Sequence, residues 1–214
     1  MADRPILFSA PMVRALLDGR KTQTRRIITT TGKDMAPGQI LIFEGPRFGG
    51  TAYRFAPRFA VSDRLYVREE WSTHPSVDPM APRDLGVGTP VYYRGTYEWS
   101  PSDTIGSPFG RRRAGMHMPR WASRLTLTVT DVRVQRLQDI SEEDAIAEGV
   151  SCYICGTGPI DGTSEHDCGC FHSKDLAIPS YRYLWDMING IDAWDENPWV
   201  VAVSFDVRKG NIDG

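Results

Sequence analysis

Leu17-Asp18-Gly19-Arg20-Lys21-Thr22-Gln23-Thr24-Arg25-Arg26 is the stretch on which the fold turns: a helix stops at a glycine, and a strand carrying a lysine, two threonines and two arginines follows. Upstream, Met12, Val13, Leu16 and Leu17 have the spacing of one helical face, and Gly19 suits the left-handed stop many helices use. Downstream, Thr22, Thr24 and Arg26 share one face of a strand, and Gln23 and Arg25 the other.

Outward from this point the chain reads as short strands with few helices. Gln39 to Phe43, Ala52 to Phe55, Arg64 to Arg68 and Val91 to Arg94 are strand-like runs between segments rich in Pro, Gly, Ser and Asp. Leu125-Thr126-Leu127-Thr128-Val129-Thr130 alternates strictly and opens a long strand over 125 to 136. Ser141 is placed to cap a short acidic helix ending at Gly149; a second helix, from about Ser180 to Asn189, puts Tyr181, Leu184, Trp185 and Ile188 on one face before Gly190. The closing run Trp199 to Val207 is apolar on both faces at first, as a central strand is. The pattern predicts an α+β fold: one domain over 1 to 214, a small barrel with short flanking helices, with insertions at about 72 to 115 and 150 to 178.

Gly19-x-Lys21-x-x-Thr24-x-Arg26 resembles the G-x-K-x-x-[E/T]-x-R signature of the ASCH domains, a PUA-like β-barrel group associated with RNA and modified nucleosides. The order of the later elements fits the same group. The opening Arg4-Pro5-Ile6-Leu7-Phe8-Ser9, the segment His117 to Arg124 and Asn197-Pro198-Trp199-Val200 resemble its phage- and prophage-encoded branch. The resemblance implies a site. In ASCH proteins that hydrolyse N4-acetylcytidine, the lysine and threonine of the signature act with a glutamate on the later acidic helix; the matching positions are Lys21, Thr24 and Glu148, with Arg26 beside the substrate. The chemistry is coherent, since amide hydrolysis needs a nucleophile, an acceptor for its proton and a proton for the leaving amine. A non-catalytic module that binds RNA or a modified base, a ribonuclease and a phage scaffold protein stand as alternatives.

The formal net charge of −2 excludes simple electrostatic coating of nucleic acid, but the charges are uneven. Arg111, Arg112, Arg113, Arg120 and Arg124 fall within 111 to 124 without an acid, and Trp121 lies among them. Cations interleaved with an indole can hold phosphates and stack on an unpaired base, so Arg120, Trp121 and Arg124 are candidate nucleic-acid contacts. Arg68, Glu70 and Trp71 form a second candidate cluster at a strand end, where a glutamate can accept from a cytosine amino group or pair with a neighbouring cation. Trp99, Trp185, Trp194 and Trp199 read as packing.

All four cysteines fall in one window, Cys152-x-x-Cys155 and then Cys168-x-Cys170. Two close thiol pairs joined by a glycine-rich loop are suited to a structural zinc ion, with His166 or His172 as substitutes for one cysteine; redox-active or free thiols are the alternative. With 41% hydrophobic and 24% charged residues the composition is that of a globular protein. No apolar run approaches the ~20 residues of a membrane span, and the N-terminus lacks a signal-peptide layout. The expectation is a protein of the bacterial cytoplasm whose partner is a modified nucleoside or single-stranded nucleic acid, with oligomeric state left open.

Overall fold

The three glycines expected to end helices all adopt the positive φ that such stops require: Gly19 at 75°, Gly149 at 73° and Gly190 at 115°. The structure, a computed structural model, describes residues 1–28, 57–96, 109–154, 160 and 174–214, together with the backbone of two strands at 40–44 and 51–55. The chain divides into two compact units: Met1–Thr22, Ser62–Val129 and Phe205–Gly214 form the first, Gln23–Val61 and Thr130–Ser204 the second.

In the first unit β1 (Asp3–Leu7) lies parallel to β5 (Arg64–Arg68), with Asp3 opposite Arg64. β5 in turn runs antiparallel to the opening of β8 (Leu125–Arg136), with Leu65 opposite Leu127. The alternation read in 125 to 130 holds at this end: Leu125, Leu127 and Val129 are buried, and Thr128 and Thr130 exposed. α1 (Ala10–Leu17) has Pro11 in its first turn, where no backbone N–H is lost from the helix ladder, and it buries Val13, Ala15 and Leu16. A second apolar cluster surrounds the small hairpin of β6 (Trp71–Ser72) and β7 (Tyr92–Tyr93), where Trp71, Leu85, Met118 and Ala122 are buried. Much of the expected Arg-rich insertion is therefore folded around its own core. Arg113 lies over the Trp71 ring and donates to the carbonyls of Val77 and Met80.

In the second unit β2 (Gln23–Ile27) pairs antiparallel with the first part of β9 (Trp199–Lys209), Gln23 opposite Ser204 and Ile27 opposite Val200. β3 (Ile40–Glu44) and β4 (Thr51–Phe55) form an antiparallel pair. α2 (Glu142–Ala147) starts as the sequence predicts, with the Ser141 hydroxyl accepting from the Asp144 N–H. α3 (Ala177–Asn189) starts three residues earlier than its sequence pattern indicates, because Pro179 is tolerated in a first turn. Tyr181 and Trp185 are buried and Leu184 packs beside them, but Ile188, expected on the same face, is exposed at the helix end. The core here joins Leu137, Ile140, Val150, Cys152, Tyr181, Trp185 and Trp194. Burial of each large apolar side chain contributes roughly 1.5 to 3 kcal/mol before the entropy of ordering is set against it.

The hydrogen-bonded order of the main sheet is β1-β5-β8-β9-β2. The fold is mixed α and β, with β9 interior as its four consecutive buried residues Val200, Val201, Ala202 and Val203 require. Among the described residues the ladder ends at β1 and β2, and the expected barrel closure is not part of it.

Candidate active site

The acids at the start of α2 sit where the helix dipole favours them, and one of them anchors a strand. The Asp144 carboxylate accepts from Gln23 Nε2 at 3.0 Å and from Arg25 Nη2 at 2.8 Å, both on β2, and from Arg133 Nη2 at 3.1 Å on β8. Burial acts to raise the Asp144 pKa, but the hydrogen bonds from Gln23 and Arg133 and the charges of Arg25 and Arg133 hold it below the usual carboxylate value.

Glu148 closes the last turn of the same helix. A carboxylate there faces the negative end of the dipole, a cost of roughly 0.3 to 1 kcal/mol unless a cation compensates. In the second unit that cation is Arg25, whose Nη1 lies 3.2 Å from Glu148 Oε1 and whose side chain is wholly buried. The Tyr181 hydroxyl hydrogen-bonds Glu148 as well, and the Arg25 guanidinium lies 5.8 Å from the Tyr181 ring centre. Burial first, and then the neighbouring Glu148 charge, push the Tyr181 phenol well above its ordinary pKa, so it stays a donor at neutral pH. Arg26 is pulled down by burial, against the opposing pull of Glu148.

Glu148, Arg25, Asp144, Gln23 and Tyr181 thus form one buried polar cluster within the second unit. Four of these five lie outside the signature, and the motif gave no signal for them. Alternation along β2 puts Gln23 and Arg25 on one face and Thr24 and Arg26 on the other. Both faces are covered at the start of the strand, and the cation that reaches Glu148 comes from the face the signature skips.

All three residues picked out by the signature and the acidic helix are buried: Lys21 is 0% exposed, Thr24 3% and Glu148 4%. Lys21 belongs to the first unit, in the turn after Gly19, where its N–H donates to the Ala15 carbonyl at 3.0 Å. Its Nζ is 5.6 Å from the Phe8 ring centre. Lysine is almost never fully buried in a folded protein without a specific partner, so this placement marks a site rather than a solvated turn.

The candidate nucleic-acid contacts of the first unit already hold partners. Arg124 makes two hydrogen bonds to the buried Glu69 carboxylate, at 2.8 and 2.9 Å, and stacks 4.1 Å from the Tyr93 ring centre. Glu70 is bound by Arg112 and lies 3.6 Å from Arg94, which realises its pairing with neighbouring cations. Trp71 is core rather than rim, and Trp121 packs partly buried against the same cluster. Arg68 lies over Tyr66 and donates to the Met116 carbonyl.

Arg120 bridges Asp213 and Asp3, and Asp3 also takes both oxygens to Arg64. Hydrogen bonds from Arg64 and Arg120 hold the Asp3 pKa below 3.8, and that from Arg120 does the same for Asp213. Groups with a depressed folded-state pKa contribute stability that is present above the unfolded value and is lost as pH falls through the folded one. Arg120→Ala is therefore expected to flatten the loss of stability below pH 3.8. Urea denaturation of both proteins across that range reads the difference, and parallel acid limbs would count against the assignment.

Of the four cysteines, Cys152 is buried and free in the core of the second unit. Cys155, Cys168 and Cys170 lie outside the described residues, as do His166, His172 and Trp99. Among the described residues no group of three or more His, Cys, Asp or Glu could hold a metal ion, and no helix is long and apolar enough to cross a membrane. Compared with family models, curated proteins and solved structures, the chain finds no match.

Proposed function

We propose that this protein is a PUA-like, ASCH-type nucleobase-binding protein that hydrolyses an N4-acylated cytosine base or nucleoside. Lys21, Thr24 and Glu148 carry the reaction. The observation behind this reading is the burial of all three: an amine, a hydroxyl and a carboxylate, each usually solvated, are withdrawn from water at the positions the signature names. The covalent chain keeps the Lys21 and Thr24 backbones within about 11 Å of each other, so one substrate can meet both.

In the proposed step, Thr24 or a water it holds attacks the acyl carbon. Lys21 and Glu148 accept the nucleophile's proton and return one to the N4 leaving group. The acyl carbon–nitrogen bond breaks, and water supplies the oxygen of the released acetate and the hydrogen of the restored amino group. Arg25 and Tyr181 fix the Glu148 carboxylate by hydrogen bonds, which keeps it ionised and aimed.

The deciding measurement is release of acetate from N4-acetylcytidine by the purified protein, with ring-acetylated and amide analogues as comparisons. Turnover supports the enzyme. Tight binding of the nucleoside without turnover would move the conclusion to a binding module, and neither would leave the scaffold reading.

Cys152 begins the segment directly after the Glu148 helix, and a structural zinc held by Cys152, Cys155, Cys168 and Cys170 would tie that segment to its loop. The expected result is one zinc per chain by elemental analysis, and a lower melting temperature after chelation. Identical melting with and without chelator would remove the proposal.

A further inference from the structure

The first unit contains a cavity of about 520 Å³ that the hydrolytic reading does not use. That size falls within the ~300 to 1,000 Å³ of small-ligand pockets. Ala81, Pro82, Met116, Met118 and Pro119 supply apolar walls, while Arg68, Arg83 and His117 bring basic groups and no acid lines it. Arg68 donates through Nη1 to the Met116 carbonyl at 3.1 Å and through Nη2 to the Tyr66 hydroxyl at 3.4 Å. Its Nε is buried and has no hydrogen-bond partner among the described residues. Arg83 is held only loosely, 3.7 Å from Asp84, with its side chain 88% exposed.

The surrounding field has the same sign. The first unit carries 15 lysines and arginines against 11 aspartates and glutamates, a formal charge of +4, whereas the second carries 10 against 16. Exposed Arg111 and Arg112 follow on the same unit. The occupant must satisfy two demands at once. Proline rings and methionine thioethers make a flat, polarisable surface for an aromatic ring, and the guanidinium groups call for an anion joined to that ring. A bare phosphate leaves the apolar walls wet, and a neutral aromatic leaves the basic groups unmatched.

We propose that this cavity is a second ligand site that takes one nucleotide of single-stranded nucleic acid, its base against Met116 and the prolines and its phosphate on Arg68 and Arg83. A paired base is locked in its stack and cannot enter without being extruded, so single strands are preferred. This assignment stands independently of acetate release, and the two are read by separate assays.

The test is fluorescence anisotropy of the full chain with a short fluorescein-labelled single strand at low salt, repeated with the annealed duplex. Cytidine monophosphate, cytidine and inorganic phosphate serve as competitors. The single strand is expected to bind at least tenfold more tightly than the duplex, and the nucleotide to compete where phosphate at the same concentration does not. Arg83→Glu is expected to weaken binding about tenfold and Met116→Ala about threefold; both side chains are exposed, Met116 by 59%, so folding is not at stake. Wild-type affinity in Arg83→Glu, equal competition by phosphate, equal binding of the duplex, or no binding would each overturn the site.

Discussion

Lys21→Met is expected to lower acetate release from N4-acetylcytidine by about 10²- to 10⁴-fold, the range a positioned proton-transfer group supplies. Methionine keeps the length and most of the volume of the buried side chain and removes only the amine. A second variant sharpens the reading. Lys21→Arg restores the cation but not an amine that can shed its proton near neutrality, so it should not restore turnover. Rates of acetate release and urea midpoints measured on the same preparations separate chemistry from folding. Turnover within twofold of wild type in Lys21→Met would end the enzymatic reading.

The second large effect concerns stability. Arg25→Met removes the buried guanidinium that pairs with both Asp144 and Glu148, and breaking one partner of a buried ion pair costs about 3 to 5 kcal/mol. Whole domains are stable by only about 5 to 15 kcal/mol, so the loss should appear as a large drop in urea midpoint. Combining Arg25→Met with Glu148→Gln is expected to recover part of it, because the uncompensated charge is then gone. A loss under about 1 kcal/mol, or no coupling in the double variant, would show that Arg25 does not compensate Glu148.

The residues that end elements were legible before any coordinates. Gly19, Gly149 and Gly190 occupy backbone conformations that side chains disfavour, and Ser141 offers its hydroxyl where a helix begins, so local chemistry specified both. β8 and β9 were legible because alternation and its absence report how many faces are covered. Ile188 shows the limit of periodicity: the helical face continues to it, but the core beneath ends one turn earlier.

The cluster around Glu148 was half legible. The signature identified Lys21, Thr24 and Glu148 as residues with a task. It did not identify Arg25, because alternation tells which side chains share a face and not what packs on that face. The partners of the basic segment were hidden for a different reason. Arg124 finds Glu69 at 55 residues' separation and Arg120 finds Asp3 at 117, distances over which sequence pattern carries no pairing information. An arginine-rich run that looks open to phosphate on paper is thus partly committed to holding its own unit together.

Asp144 ties three donors from two strands to the first turn of one helix. Detaching that turn would strand a guanidinium, an amide and a carboxylate together, so the intermediate with one tie broken has little to recommend it. Amide protons of β2 and of α2 should consequently exchange with solvent at a shared rate, as members of a single opening event. Motion in this region is then all or nothing, and Glu148 inherits its immobility from the other end of its own helix.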